Sequence, residues 1–545
     1  MSDRRLARAS AWMALGTIAS RLTGFVKLAL LGWTIGTALD ADLFNNATTI
    51  PNAAYILVAG GIFNVVLVPQ LVRSMKRDAD GGEAYAQRII TLGLLVLGAA
   101  TVVLTLLVPW IVRLVFEDDL FLDRFTAQRE SAELLMYLCM PQVFFYGAFV
   151  LIGQVLNSRE RFGPMMWAPV VNNVVGSAVV VVYLLVHGTA TGAAATDGFT
   201  VSQSWLLGAG FTAGIVVQTI LLVPFLRGTG FHYRPRFDFR GVGLGHTLRL
   251  GVWTLLFIVA NQIAFIVVNR LGTGGTLTGA AEQTAAAGSF VYAIGYQVSQ
   301  VPHGVITVSL ATAMMPMLSA LVADGELERV RVELGRTIRI TMSLVAPLAV
   351  AVACLGGPAA AAISIGALAD NHESVGNAIA AFSVAMVAFT LHYLMLRGFY
   401  AQEDTRTPFF LQVVIAAANI GLALLLTRGA DPEHVAAMLA LAYGGAYVIG
   451  AILSTTVLSR RIGSLLDRET AVFALRLVVS CAVAAGVMLG LIAGASAVGL
   501  DTDRPGPALV ATLAAGVPGA LTYLLVARLT GMTELRYLVA SLRSR

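Results

Sequence analysis

The segment Ile90–Val112 reads ITLGLLVLGAATVVLTLLVPWIV and contains no charged side chain. A helix needs about 20 apolar residues to cross the ~30 Å hydrocarbon core of a bilayer, so this segment is long enough to span it alone. Ala471–Leu491 is a second such segment, with one charge. The 545-residue chain is 57% hydrophobic and 12% charged, whereas soluble domains carry about 25% charged residues. The composition therefore excludes a soluble protein and predicts an all-α membrane protein.

Apolar segments between charged or turn-rich breaks predict about fourteen transmembrane helices. Most of the 36 lysine and arginine residues fall in alternate connections, which the positive-inside rule assigns to the cytoplasm. We therefore predict a multi-pass membrane protein with both termini in the cytoplasm. All but two of the basic residues are arginine, and alanine and glycine are abundant, which is typical of a high-GC bacterial genome and indicates the bacterial cytoplasmic membrane. The predicted spans lie near residues 8–35, 42–71, 89–112, 132–156, 164–186, 202–226, 247–269, 284–318, 337–356, 376–399, 408–427, 434–458, 471–494 and 506–527.

Two similar passages indicate an internal duplication. A charged turn leads to a proline in both Arg159–Pro164 and Glu403–Pro408, and asparagine follows at Asn172 and Asn419. We therefore predict two six-helix lobes related by a repeat, followed by two C-terminal helices. The predicted domains are residues 1–230, 231–465 and 466–545, and transporters built from repeats usually bind substrate at the repeat interface.

Several motifs of ATP-driven pumps and of hydrolytic enzymes are absent from the sequence. It contains no phosphate-binding G-x-x-x-x-G-K-[ST] loop, no H-E-x-x-H zinc pair and no G-x-S-x-G nucleophile motif. We expect no cofactor, no metal site and no catalytic residue, which favours a secondary-type transporter over an enzyme. The basic segment Phe231–Arg240 alternates aromatic residues with arginine, and this pattern suits an element on an anionic inner leaflet better than nucleic acid binding.

Two basic residues, Arg21 and Lys27, lie in the interior of the first predicted span. A charge deep in the membrane costs about 2.5–3.5 kcal/mol, so these side chains require water, a partner or a ligand. Either they face a polar cavity and attract an anionic substrate, or they snorkel or pair with Asp42. The basic character favours an anionic substrate.

Amide side chains concentrate on a few of the predicted spans. They include Asn46 and Asn52 on span two, and Gln297 and Gln300 on span eight. We predict that they line one polar cavity between the two lobes, although amides in membranes also form interhelical hydrogen bonds. Further polar candidates are Asn45, Asn64, Asn261, Gln262 and His303.

Several motifs resemble those of one known family. They are Ser20–Phe25, Ile50–Asn52, Val68–Leu71 and Gly398–Pro408. These motifs are similar to those of the MurJ/MviN lipid II flippases, which belong to the multidrug/oligosaccharidyl-lipid/polysaccharide exporter superfamily. The resemblance implies a fourteen-helix fold that flips lipid II, the undecaprenyl-pyrophosphate-linked peptidoglycan precursor, to the outer leaflet by alternating access for cell-wall synthesis. A groove at the last two helices would accept its lipid tail.

The resemblance also implies roles for individual residues. Arg21 and Asp42 match functional residues of the family, and Lys27 stands where an arginine is usual. Cavity arginines of better-known members fall at Tyr55 and Gln297 here, and an acidic residue falls at Gln300. The carboxylates that bind sodium in some members have no counterpart. The implied partners are lipid II or a related polyprenyl-pyrophosphate glycolipid, membrane lipids and cell-wall synthesis enzymes.

Other functions remain open at this point. The chain could flip another polyprenyl-linked glycan, and export of a cationic drug is less favoured because the intramembrane charges are basic. A non-transporting scaffold for cell-wall enzymes would depend on the cytoplasmic loops instead of the intramembrane charges.

Overall fold

The structure is a computed structural model that describes residues 3–57, 82–190, 195–239 and 244–534. All of its long elements are helices, as predicted, and thirteen of them are long and apolar enough to cross a membrane. Predicted span two is described only as far as residue 57, and Asn64 lies outside the described residues. The helices are α1 Asp3–Ile35, α2 Leu39–Tyr55, α3 Glu83–Leu106, α4 Val108–Val115, α5 Thr126–Cys139, α6 Gln142–Ser158, α7 Gly163–His187, α8 Val201–Ile220, α9 Leu222–Arg227, α10 Leu244–Glu282, α11 Ser289–Pro302, α12 Val308–Ala323, α13 Leu327–Ile363, α14 His372–Ala401, α15 Arg406–Thr427, α16 Val435–Ile462, α17 Arg468–Ala497 and α18 Pro505–Leu529.

The chain forms two compact units, Met1–Ala280 and Ala281–Arg545. The first unit contains nearly all of α10 in addition to α1–α9, whereas the sequence predicts a lobe boundary at residue 230. The predicted domain boundaries stay a prediction.

The two charged turns of the predicted repeat have the same backbone conformation. In each turn a glutamate occupies the left-handed region, with φ of 61° at Glu160 and 56° at Glu403. This region is uncommon for a non-glycine residue, so its occurrence at matching positions supports the duplication. The same three backbone hydrogen bonds close both turns. In the first turn, the N–H groups of Arg159 and Arg161 donate to the Leu156 carbonyl, and that of Glu160 donates to the Asn157 carbonyl. In the second turn, the N–H groups of Gln402 and Asp404 donate to the Phe399 carbonyl, and that of Glu403 donates to the Tyr400 carbonyl.

The last two helices pack through small side chains. Apart from Tyr523, the buried residues of α18 are alanine and glycine, and large leucines are exposed on the remaining surface. Small residues let helix backbones approach closely in a membrane, and exposed leucines suit contact with lipid. At the interface with α17, a Cβ at Gly519 would overlap Met488. On the side of α13, the Tyr523 hydroxyl donates a 2.6 Å hydrogen bond to the Ser343 carbonyl.

Gly519→Leu is expected to destabilise the protein by about 1–3 kcal/mol, because overpacking forces helices apart. The measurement is the thermal unfolding midpoint in detergent. Gly490→Leu on α17 is the matched control, since a Cβ there meets nothing within 4 Å. Equal midpoints for the two variants would contradict the packing argument.

An ion-pair cluster joins α17 and the segment after α18 to α13. The Arg339 side chain is only 11% exposed, and its Nη2 lies 2.9 Å from Glu469 Oε1. Its Nε lies 3.6 Å from Glu534 Oε1, and the Glu534 side chain is 13% exposed. Arg339 therefore occupies a largely buried position in which two carboxylates compensate its charge.

Predicted span eight is interrupted after Pro302. Helix α11 ends there, a π-helical turn covers His303–Thr307, and α12 follows. Proline lacks an N–H for the helical ladder, and π turns commonly disturb helices at functional positions. The proline is visible in the sequence, whereas the π-helical turn after it is seen only in the structure.

Candidate functional site

Arg21 and Lys27, the two basic residues in the apolar part of α1, have no polar partner in the described part of the chain. Arg21 and Lys27 are both half-buried, and neither forms a hydrogen bond or an ion pair with a described residue. The aliphatic part of the Lys27 side chain packs closely against Gly176 of α7. If residue 176 had a Cβ atom, that atom would lie only 2.8 Å from Lys27 Cδ. Its Nζ lies 5.4 Å from the centre of the Phe211 ring, a cation–π arrangement. Pairing of Arg21 with Asp42, the alternative considered above, does not occur.

The backbone beside Arg21 is fixed by α7. Asn173 Nδ2 donates a 2.9 Å hydrogen bond to the Ser20 carbonyl and a 3.2 Å hydrogen bond to Thr23 Oγ1. Further along, a Cβ at Gly24 would lie 3.4 Å from Asn173 Nδ2. The helix is therefore held on both sides of Arg21, and the guanidinium remains available for a ligand.

Asp42 and Asn46 are buried in contacts between α2 and α10. Both side chains are 0% exposed, and Thr276 Oγ1 donates a 2.8 Å hydrogen bond to Asp42 Oδ2. Asn269 Nδ2 donates to Asn46 Oδ1, and Gln262 Nε2 donates to the Ala53 carbonyl at 2.8 Å. These three bonds form an antiparallel polar ladder between the helices. Asp42 and Asn46 thus hold α10, which matches the interhelical interpretation.

Of the ladder partners on α10, the sequence analysis named Gln262 as a polar candidate and missed Asn269 and Thr276. Gln262, Asn269 and Thr276 recur every seven residues, a spacing that places them on one face of a helix. The seven-residue period could have indicated an interhelical contact. It was not recognised because Thr276 lies beyond residue 269, where span seven was predicted to end.

Asn52 and Tyr55 differ in their surroundings. Asn52 is half-buried, and its amide has no hydrogen-bond partner among the described residues. Tyr55 is only 8% exposed and stacks on Tyr146 of α6, with ring centres 5.9 Å apart. Asn52 therefore has a free polar group, whereas the Tyr55 ring packs inside the first unit.

In the second unit, Gln297 and Gln300 share one side of α11 because residues three apart are neighbours on a helix. Both are half-buried, and their side chains form no hydrogen bond within the described ranges. His303 points elsewhere. Its ring packs 4.6 Å from Phe389 and 4.8 Å from Tyr393, centre to centre, and its Nδ1 lies 3.4 Å from Thr390 Oγ1. The glutamines remain candidates, and His303 belongs to the interior of the bundle.

Asn46→Ala and Asn52→Ala are expected to separate structural from ligand-binding amides. Asn46→Ala leaves the buried Asn269 amide without its acceptor and should cost about 1–3 kcal/mol of stability. Asn52→Ala removes no hydrogen bond to a described residue and should change stability by less than about 0.5 kcal/mol. Thermal unfolding in detergent measures both. A larger destabilisation by Asn52→Ala would contradict the assignment.

Comparison with known proteins shows the family to which the chain belongs. The family model described as lipid II flippase MurJ matches residues 32–500. The chain belongs to the lipid II flippase MurJ family. Probable MurJ flippases of Rhizobium meliloti (strain 1021) and Rhizobium tropici are each 27% identical to it. The first alignment covers 75% of this chain and 73% of the relative, and the second covers 87% and 85%.

Solved structures support the fold. A lipid II flippase MurJ in an inward closed conformation aligns with a TM-score of 0.68 at 16% identity, covering 95% of this chain and 98% of that one. An inward-facing multidrug resistance MATE family transporter of the MOP superfamily aligns with a TM-score of 0.63 at 15% identity, covering 83% of this chain and 98% of that one. The fold class inferred from hydropathy and the family inferred from motifs are both confirmed.

Proposed function

We propose that the chain flips lipid II from the inner to the outer leaflet of the bacterial cytoplasmic membrane by alternating access. The family match over residues 32–500 carries this proposal. Both termini would lie in the cytoplasm, where the charge distribution assigns them. The protein would change no covalent bond of its substrate, and cell-wall synthesis enzymes would use the flipped product.

The free polar groups described above support roles in binding. Arg21 and Lys27 would attract the pyrophosphate, since no described carboxylate neutralises them. Lys27 offers a point charge where a planar guanidinium would bind two phosphate oxygens at once. The amides of Asn52, Gln297 and Gln300, which have no hydrogen-bond partner among the described residues, would bind sugar or peptide groups. Asp42, Asn46 and Tyr55 would act indirectly, by holding α2 against its neighbours.

Membrane potential is the driving force that we propose for this transporter. Moving one charge across 100 mV is worth about 2.3 kcal/mol. The sequence has no ATP-binding loop, so a gradient across the membrane would have to supply the energy. We propose that the charge on the translocated headgroup couples flipping to this potential.

The direct test is complementation of a bacterial strain depleted of its lipid II flippase, together with an assay of lipid II exposed on the outer leaflet. The expected result is growth and restored exposure. Growth restored only for a different polyprenyl-linked glycan would indicate another substrate. Absence of any flipping by a well-inserted protein would favour the scaffold hypothesis.

A further inference from the structure

A cavity of about 470 Å³ lies beside the short helix α9 in the first unit. This volume falls within the range of about 300–1,000 Å³ that ligand sites occupy. Aliphatic side chains of three helices form its wall, among them Leu94 of α3, Leu151 and Ile152 of α6 and Leu226 of α9. Arg227 and His232 belong to the same lining. The cavity therefore combines an apolar wall with cationic or ionisable groups.

The segment after α9 holds this cavity in shape. Gln87 Nε2 donates a 2.8 Å hydrogen bond to the His232 carbonyl, and the hydroxyls of Thr91 and Tyr233 are 3.0 Å apart. Arg88 Nη2 lies 2.6 Å from Asp238 Oδ2. Hydrogen bonds from Arg88 and Arg236 lower the pKa of Asp238 to about 2, so this carboxylate stays ionised at physiological pH. The segment is thus attached to the start of α3.

Arg227 provides the unpaired charge of this cavity. Its side chain is exposed and forms neither an ion pair nor a hydrogen bond with any described residue. Arg159, nearby in the structure, is instead engaged: its guanidinium lies over the Phe231 ring at 5.2 Å and donates to the Thr229 carbonyl at 3.1 Å. An anionic group is the complement that Arg227 lacks.

A second cleft of about 440 Å³ lies along the other face of α9 and includes Pro224 and Phe225. At 100° per residue these two positions point away from Val223 and Leu226, which line the first cavity. The second cleft also contains Glu160 and Arg161, so its charges balance. The helix therefore separates two spaces, and the unbalanced positive charge belongs to the larger one.

We propose that the larger cavity binds one acyl chain of an anionic phospholipid of the inner leaflet, with the phosphate of the headgroup on Arg227. The second chain of the lipid would occupy the cleft across α9. An apolar cavity joined to an unpaired arginine at the predicted cytoplasmic end of the helices matches a molecule with an apolar tail and one negative charge. The choice of leaflet rests on the proposed orientation, and the site is separate from the proposed lipid II residues.

The test uses the purified full-length protein in nanodiscs without lipid II, so its outcome does not depend on flipping. The nanodiscs contain phosphatidylcholine and a photoactivatable phosphatidylglycerol with the reactive group on an acyl chain. Mass spectrometry maps the crosslinks. The expected crosslinks fall on the cavity wall around Leu151 and Ile152. Arg227→Ala should reduce them about fivefold, since one arginine near an anionic surface is worth about that factor in affinity.

Arg460→Ala is the matched control, because Arg460 is also exposed and without an ion pair within the described residues, but it lines neither cavity. Its crosslinks should equal those of the unmodified protein. Ile152→Trp fills the cavity and should abolish the wall crosslinks while the thermal midpoint is maintained. Equal losses for Arg227→Ala and Arg460→Ala, or crosslinks scattered over the outer helix surfaces, would overturn the proposal. A photoactivatable phosphatidylcholine that labels the wall as strongly would overturn the requirement for an anionic headgroup.

Discussion

Replacing Arg21 with alanine is expected to reduce lipid II flipping by roughly 10- to 150-fold. Hydrogen bonds to charged groups contribute about 1.5–3 kcal/mol, and Arg21 has no protein partner in the described chain that would share this interaction. The rate should be measured in vesicles with a saturating and a limiting concentration of lipid II. If Arg21 binds the pyrophosphate, the deficit is larger at the limiting concentration.

Two variants control this experiment. Arg21→Lys keeps the charge but loses the planar fork, so an intermediate rate is expected. Arg460→Ala removes an exposed arginine outside the proposed substrate site and should flip at the unmodified rate. A normally inserted Arg21→Ala protein that flips at the unmodified rate would refute the proposed role of Arg21.

Arg339→Ala is expected to cause the largest loss of stability, about 3 kcal/mol. Removing one partner of a buried ion pair leaves an uncompensated charge, which typically costs about 3–5 kcal/mol. Glu534 is left in a largely buried position, whereas Glu469 is 70% exposed and can be hydrated, so the lower end of this range applies. The thermal unfolding midpoint of the purified protein measures the loss.

A double variant distinguishes lost charge compensation from lost packing. Arg339→Leu combined with Glu534→Leu removes both charges and should recover most of the stability, because apolar pairs often replace buried ion pairs without cost. Arg504→Ala breaks an exposed pair with Asp501 and should change stability by less than about 1 kcal/mol. If Arg339→Ala unfolds at the same temperature as Arg504→Ala, the buried pair does not stabilise the attachment of the last two helices.

The sequence predicts the helices well because a lipid environment leaves the backbone few alternatives. Backbone N–H and C=O groups in the hydrocarbon core must be paired internally, so an apolar segment such as Ile90–Val112 becomes helical, here as α3 and α4 on either side of Leu107. The repeat could also be recognised in the sequence, since a charged turn precedes a proline in both passages, and the turns at Glu160 and Glu403 share the same backbone conformation. Both the helices and the repeated turns depend on residues that are close together in the sequence.

The candidate site was harder to predict because its polar residues depend on distant partners. Asn46 and Asn52 look equivalent in the sequence, yet Asn46 is paired with Asn269 from a helix more than 200 residues later and Asn52 is not. Likewise, burial of Tyr55 depends on Tyr146 of α6. Neither partner can be inferred from hydropathy, because amides and tyrosines are tolerated both at interhelical contacts and beside water.

The attachment of α1 to α7 has a consequence for biogenesis. The groups that hold α1, among them Asn173 and Gly176, emerge from the ribosome about 150 residues after it. At 5–20 residues per second, the first helix waits roughly 7–30 s for these neighbours. During that time Arg21 carries an insertion cost of about 2.5–3.5 kcal/mol without tertiary contacts. We expect the nascent first helix to remain at the insertion machinery until α7 has been synthesised.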